Sequence, residues 1–314
     1  MERARAIFFG SGGFAVPVLL ALAAAPEAEL VAVVTAPGRP AGRTAVMTPT
    51  PVAAAAARLG APVLAPDRVR AEGAVEALAA VRPDVGVLSD YGRILPAEVL
   101  DLPARGVVNL HPSLLPRHRG ATPIPATILA GDAETGVTLF RMDPGMDTGP
   151  IVAVERVPVA GDEDAPGLEA RLADAAAGLL RRALGPWLRG ELAAIPQPAE
   201  GVTVTRPLRR EDGRLDPRLP AAVLERQVRA LRPWPGTWLD TASGRLAVLR
   251  AGVGEGSWRV SSAGTLVADG TGLALVTGDG RLLRLLEVRP AGGRAMDGAA
   301  FRRGRPGIIG SAAR

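Results

Sequence analysis

The chain has 314 residues, 47% hydrophobic and 22% charged but only 3% aromatic, a length and balance that give about two domains with a sizeable core and exclude a fibre or a disordered tail. It carries a net charge of +5 with every one of its 37 basic residues an arginine, a compositional bias that is no functional signal by itself, and the absence of cysteine excludes disulfides and thiolate metal sites. The start "MERARAIFFGSGGF" lacks a leader's apolar run and no window approaches the ~18 to 20 apolar residues of a membrane span, so a soluble, cytoplasmic protein is expected.

The apolar run Ala4 to Phe9, the turn "GSGGF" and an Ala/Leu-rich segment to Ala25 read as strand, tight turn and helix. "ELVAVVT" (29–35) is a second buried strand, "TPVAAAAARLG" (50–60) a helix, and "DVGVLS" (84–89) and "GVVNL" (106–110) two more strands. Strands alternating with helices predict a Rossmann-like α/β domain, a parallel sheet with helices on both faces that binds ligands at the carboxyl ends of its strands. Asn109 and His111 fall at such an end. Leucines at 168, 172, 179 and 184 predict an amphipathic helix between Asp164 and Gly190. The Pro and Gly of "GELAAIPQPAEGVTVTRP" (190–207) mark a linker. One helix, "PAAVLERQVRAL" (220–231), is then followed by short strands with Gly-rich turns, "RLAVLRAG", "SWRVSSAG", "TLVADGTG", "LALVTGDG" and "RLLRLLEV", which predict a small β-barrel or sandwich, the expected form being an OB-like β-barrel. The expected division is 1–189 for the catalytic domain, 190–207 for the linker and 208–314 for the barrel. Residues 208–314 hold 18 Arg against 10 acidic residues, a net of +8, and residues 1–207 hold 19 against 22, a net of −3. A polyanionic partner on the basic part and mere solubilising arginine both stand as readings of that split.

The "GSGGF" turn does not make a dinucleotide site. Gly10, Gly12 and Gly13 are followed by Phe14 and Ala15, which breaks G-x-G-x-x-G, and no acidic residue ends the second strand. The chemistry lies in "NLHPSLLPRHRG" (109–120), which contains the chain's only asparagine, Asn109, and both of its histidines, His111 and His118. An amide offers N–H donors to a developing oxyanion, an imidazole moves protons near neutral pH, and a carboxylate can hold and charge that imidazole. The carboxylate comes from "MDPGMDTGPI" (142–151), where Gly145 and Gly149 bracket Asp147 and Asp143 competes with it. This set suits acyl transfer between two nitrogens, with the amine substrate itself as nucleophile. Singly, His111 capping a strand and Asp147 a turn would be unremarkable; the case for function is the set.

"NLHPSLLPRHRGATPI" followed by "GDAETGVTLFRMDPGMDTGPI" resembles the signature of the folate-dependent formyltransferases, most closely those that act on methionyl-tRNA. "FFGSGGFAVPVLLAL", "VTAPGRPAGR", "DVGVLSDYGRILP", "RALRPWPGTWL" and "TGDGRLLRLLEVRPAGGRAM" follow the family's order, so the resemblance spans nearly the whole chain. It implies Asn109, His111 and Asp147 as catalytic residues. It implies a 10-formyltetrahydrofolate co-substrate bound beside Tyr91, Gly92, Ile94, Leu95 and Pro96 of "DYGRILP" and Ser113, Leu114, Leu115 and Pro116 of the "SLLP" turn, with no metal. Its implied acceptor is initiator methionyl-tRNA, formylated on the α-amine by direct attack through a tetrahedral intermediate, in a protein expected to be a monomer. Arg43, in the loop "PGRPAGR" (37–43), falls where the family approaches the acceptor end of the tRNA. Arg206, Arg209 and Arg210 of "RPLRREDGR", with Arg302, Arg303 and Arg305, are candidates for phosphate contact. An amino-sugar formyltransferase and a non-catalytic folate- or RNA-binding module are the alternatives; the first would not need the basic module, and the second would not need the intact set. The chain departs from the family at "TAVM" after Arg43, where lysines are usual, at Asp90 in place of alanine, at His118 in place of tryptophan, and at "VTRP" in the linker. His118 is expected on the surface or in the substrate groove.

Overall fold

The computed structural model of the chain describes residues 2–41, 45–255 and 262–314. They form two compact units, one of Met1–Pro123, Ala133–Val159 and Glu169–Arg206, the other of Ile124–Asp132, Ala160–Leu168 and Pro207–Arg314.

The first unit begins with β1 (Ala4–Phe9), α1 (Ala15–Ala23) and β2 (Ala28–Val34), then a small hairpin of β3 (Arg39–Ala41) and β4 (Val46–Thr48). α2 (Pro51–Leu59), β5 (Val63–Leu64), α3 (Glu72–Ala80), β6 (Val85–Leu88), α4 (Ala97–Leu100), β7 (Val107–His111) and β8 (Arg119–Gly120) follow. α2 starts where the sequence signals it: Thr50 Oγ1 accepts the Ala53 N–H at 3.0 Å, and Pro51 sits in the first turn, where no N–H is needed. After α5 (Pro123–Ala130), which apart from Pro123 belongs to the second unit, come β9 (Glu134–Arg141), β10 (Ile151–Pro158), the helix α6 (Ala165–Arg189), assigned to the first unit from Glu169 on, and β11 (Val204–Thr205). α6 buries Leu168, Leu172, Leu179 and Leu184, the four leucines that predict it.

The large sheet has the order β10-β9-β7-β6-β1-β2-β5. From β5 to β7 neighbouring strands are parallel, as alternation of strands and helices predicts. β9 and β10 run antiparallel and complete one edge, so the sheet is mixed; "GVTLFRM" and "PIVAVERVP" are strands that motif spacing does not anticipate. Alternate residues explain why the central strands are apolar throughout. Ile7, Phe9, Ala32, Val34 and Leu88 pack on one face with Leu78 and Val99, while Phe8, Val33, Val87 and Val108, of opposite parity, are buried as well.

Residues 190–207 are more than a connector. Ile195 and Ile151 exchange backbone hydrogen bonds of 2.7 and 2.8 Å, and β11 pairs in parallel with β8. The Pro and Gly that mark this stretch as a linker say nothing about what its backbone is bonded to.

The second unit contains α7 (Ala221–Ala230), β12 (Thr237–Thr241), β13 (Gly244–Val253), β14 (Leu266–Asp269), β15 (Gly272–Val276), β16 (Leu282–Pro290), β17 (Met296–Asp297) and α8 (Gly298–Gly304). Its antiparallel sheet has the order β12-β13-β16-β15-β14, with β17 also on β16. The expected strand "SWRVSSAG" lies mostly outside the described residues. The chain end ties the two edge strands: Arg314 and Asp240 exchange backbone hydrogen bonds, and Leu266 N–H donates to Ser311 O. Bridging both edges in this way removes the exposed ladders that an open sheet would present. Leu224, Val228, Leu239, Leu275, Leu285 and Phe301 belong to its core. No helix among the described residues is long and apolar enough to cross a membrane.

Candidate active site

β7 carries Asn109 and His111 two positions apart, hence on one face of the sheet. Both are buried, at 7% and 5% exposure. A buried imidazole has to satisfy its ring nitrogens. His111 Nε2 lies 2.9 Å from the carbonyl oxygen of His118. A carbonyl only accepts, so the ring proton resides on Nε2, and Nδ1 of the neutral ring presents its lone pair. That lone pair faces Asp147 Oδ2 at 3.7 Å, too long for a hydrogen bond but close enough for strong charge coupling.

Asp147 reaches this position by a return of the chain. The loop after β9 leaves beside the start of β7, with Met142 N–H on Val107 O, and doubles back so that Asp147 meets His111. Its Oδ2 accepts the Gly120 N–H at 2.7 Å, and its backbone takes the left-handed conformation, φ 52°. Gly120 itself sits at φ 100°, and a methyl group there would overlap the Thr205 carbonyl, so only glycine allows this approach. Asp143 serves the loop instead, because its Oδ1 accepts Gly145 N–H at 3.0 Å and the Thr148 hydroxyl at 2.7 Å and so shapes the turn. Of the two competing carboxylates, the structure brings Asp147 to His111.

Burial holds the His111 imidazole below its ordinary pKa, against the upward pull of the Asp147 carboxylate and the His118 carbonyl. At neutral pH the ring is therefore a neutral proton acceptor beside an anion. The arrangement can take a proton on Nδ1 and hold the resulting cation against Asp147, while the Asn109 carboxamide is available to a developing oxyanion.

His118 is not a surface residue. It is buried, its backbone lies at φ 56°, its carbonyl anchors His111, and its own N–H donates to Thr203 Oγ1 at 2.7 Å. The "RHRG" turn thus supports the side chains of both His111 and Asp147, through one carbonyl and one N–H, and neither contact leaves a trace in residue type.

The segments expected to hold the co-substrate divide by exposure. In "DYGRILP", Tyr91 and Leu95 belong to the core beside Phe9, the rings of Tyr91 and Phe9 meeting edge to face at 5.9 Å, whereas Gly92 and Ile94 are exposed and Pro96 is half-buried. In the "SLLP" turn Ser113, Leu115 and Pro116 are buried, and Leu114 keeps some exposure. The Ser113 hydroxyl donates to Arg117 O at 2.7 Å, and the Thr138 hydroxyl donates to Ser113 O at 2.7 Å. Ser113 therefore shapes the turn and has no free hydroxyl proton for a ligand. Asp90 reaches solvent, but the protein around it pushes its carboxyl pKa up to about 6, aided by the Glu169 carboxylate. It lies over Gly12, where any side chain would overlap it, which gives the "GSGGF" turn a reason unrelated to dinucleotides.

Among the basic residues, Arg43 lies outside the described residues. Arg206, Arg209, Arg210 and Arg303 are exposed. Arg302 donates to Gly270 O and Gly272 O at 2.8 and 2.9 Å, and Arg305 lies over the Phe301 ring at 5.2 Å. Sequence reasoning missed Gln197, whose side chain bridges the Asp147 loop and Arg119. Among the described residues no group of three or more His, Asp or Glu is arranged to hold a metal ion.

Residues 4–184 match the formyl transferase family and residues 207–306 match the formyl transferase C-terminal domain. The methionyl-tRNA formyltransferase of Methylobacterium sp. is 46% identical over 96% of both chains, and that of Myxococcus xanthus is 44% identical over 97% of this chain and 96% of its own. In fold the chain is similar to an N-formyltransferase of Helicobacter canadensis solved with folinic acid and dTDP-3-aminofucose (TM-score 0.68, 14% identity, covering 90% of this chain and 99% of that one). It is also similar to HypX of Aquifex aeolicus in complex with tetrahydrofolic acid (TM-score 0.64, 17% identity, covering 96% and 47%). Two family matches in order and relatives of one name aligned over almost their full length make the chain a member of the methionyl-tRNA formyltransferase family.

Proposed function

We propose that the chain transfers the formyl group of 10-formyltetrahydrofolate to the α-amine of initiator methionyl-tRNA, acting as a monomer in the cytoplasm. The observation that carries this reading is the buried His111 with Nδ1 directed at Asp147 and Asn109 on the same sheet face, in a chain of this family.

An α-amino group titrates near 7.7 to 8, so a fraction of the acceptor is neutral at physiological pH and attacks the formyl carbon without a strong base. Asn109 donates to the oxygen that gains charge. His111 Nδ1 receives the amine's proton as the new C–N bond forms, Asp147 stabilises the imidazolium, and the same proton passes to the departing folate nitrogen. Gly92, Ile94, Pro96 and Leu114 are the accessible or half-buried parts of the two segments flanking the folate, while Tyr91, Leu95, Ser113, Leu115 and Pro116 give those segments their shape. Arg43, Arg206, Arg209, Arg210 and Arg303 contact tRNA phosphates, whereas Arg302 supports the turn at Gly270 and Gly272.

The test is formylation of charged initiator tRNA with 10-formyltetrahydrofolate as donor. Transfer dependent on both substrates, and steeply weaker tRNA binding as salt rises, are expected. Activity on an amino-sugar with none on methionyl-tRNA would overturn the reading.

A further inference from the structure

The segment between α6 and β11 carries a side chain whose bonding has no explanation in the reaction scheme above. The Gln197 Nε2 donates to the carbonyl oxygens of Asp147 and Gly149, both at 2.8 Å. Its Oε1 accepts from Arg119 Nε at 3.1 Å and from the Arg119 terminal nitrogen at 2.7 Å. One carboxamide thus uses both its N–H groups and its oxygen. The residues it joins are the two sides of the site: Asp147 on one, and on the other Arg119, between the His118 carbonyl that anchors His111 and the Gly120 N–H that anchors Asp147.

The backbone is built to hold Gln197 there. Pro196 and Pro198 flank it; proline fixes its own φ and confines the preceding residue to extended conformations. Two residues upstream, Ile195 is locked to Ile151 by reciprocal backbone hydrogen bonds of 2.7 and 2.8 Å. Asp147, held at φ 52° in a loop rich in glycine, is restrained locally by the Asp143 turn and by its own bond to Gly120. Gln197 adds a restraint on the 147 and 149 carbonyls from outside the loop.

We infer that Gln197 is a positioning residue for formyl transfer: its carboxamide fixes the 147–149 backbone against Arg119 and so sets the separation of Asp147 from His111. This rests on the proposed function only for its consequence on turnover. The groups that act on His111 are the Asp147 carboxylate, the His118 carbonyl and the His118 imidazole, and Gln197 bears on the first through the loop.

The experiment compares wild type with Gln197→Leu, which keeps the approximate shape and removes every polar contact, and Gln197→Glu, which keeps an acceptor for Arg119 but loses both donors. Gln197 is only half-buried, so both variants are expected to fold. The first readout is the titration of His111 by NMR in the free protein, where only two histidines contribute ring signals. With Asp147 released, the midpoint of His111 should fall in Gln197→Leu, whereas the added carboxylate of Gln197→Glu opposes that fall and leaves this variant to be read by its kinetics. The second readout is formylation kinetics: kcat should drop ~10- to 100-fold, the range expected when a catalytic pair is misplaced by a fraction of an ångström to an ångström, with KM for methionyl-tRNA nearly unchanged. A His111 midpoint in Gln197→Leu that coincides with or exceeds that of wild type overturns the inference, whatever the activity. Because the titration needs no substrate, a wild-type protein inactive on methionyl-tRNA would sink the proposed function and leave this inference standing.

Discussion

Replacing Asp147 by asparagine removes one charge and very little else. The asparagine oxygen can still accept the Gly120 N–H, and asparagine tolerates the left-handed backbone, φ 52°, at least as well as aspartate. What disappears is the attraction between a carboxylate and a protonated Nδ1 separated by 3.7 Å. With an effective dielectric near 20 this amounts to about 4 kcal/mol, an attraction that favours the protonated ring. Since the charged ring exists only while the proton is in transit, the loss falls on the barrier, and kcat should drop roughly 100- to 1000-fold, about 3 to 4 kcal/mol. Initial rates of methionyl-tRNA formylation at saturating substrates measure it, with thermal unfolding as the control for fold. An Asp147→Asn enzyme with wild-type kcat and a raised KM would place Asp147 in binding and refute the assignment.

Because burial keeps His111 below its ordinary pKa, its acid limb in kcat should lie below the usual imidazole value near 6.5, while kcat/KM should go on rising until the acceptor amine is neutral near pH 8; a kcat limb above 6.5 would show that the charge of Asp147 outweighs burial. Asp90 has a folded pKa of about 6, above its ordinary 3.8, so its contribution to stability is complete below 3.8 and is lost as pH rises through about 6. Asp90→Asn should therefore be more stable than wild type above pH ~7 and lose that advantage below pH ~4, a difference in melting temperature that must close on acidification if burial is the cause. Exposed Arg303 and turn-supporting Arg302 should behave differently: Arg303→Glu should weaken tRNA binding and flatten its salt dependence at unchanged stability, and Arg302→Ala should lower the melting temperature. Equal effects of the two on salt dependence would contradict the distinction.

What the sequence disclosed, and what it withheld, follows from the range of the interactions involved. Apolar runs such as Val85–Leu88 and the leucines of α6 report burial directly, since period and composition are local properties. The β9–β10 hairpin is harder to see because its connection is a nine-residue loop, 142–150, longer than the roughly two to five residues of a usual hairpin turn, and its residues carry a family motif that points to chemistry instead of pairing. His118 stood out as one of only two histidines, yet its part in the site is played by its carbonyl, a group that every residue has.

Gln197 marks the limit more sharply. A glutamine between prolines in a Pro/Gly-rich stretch has every local sign of a spacer, and nothing at positions 195–205 anticipates that Asp147, fifty residues earlier, is held by it. The three residues proposed to carry the chemistry are legible because amide, imidazole and carboxylate are scarce or distinctive types. The contacts that aim them are carbonyls, N–H groups and one ordinary amide, brought together by the sheet and by the return of the chain after α6. A site of this kind is more vulnerable through its supports than its composition implies: a substitution in the apparent spacer should disturb the charge pair while sparing every residue that touches substrate.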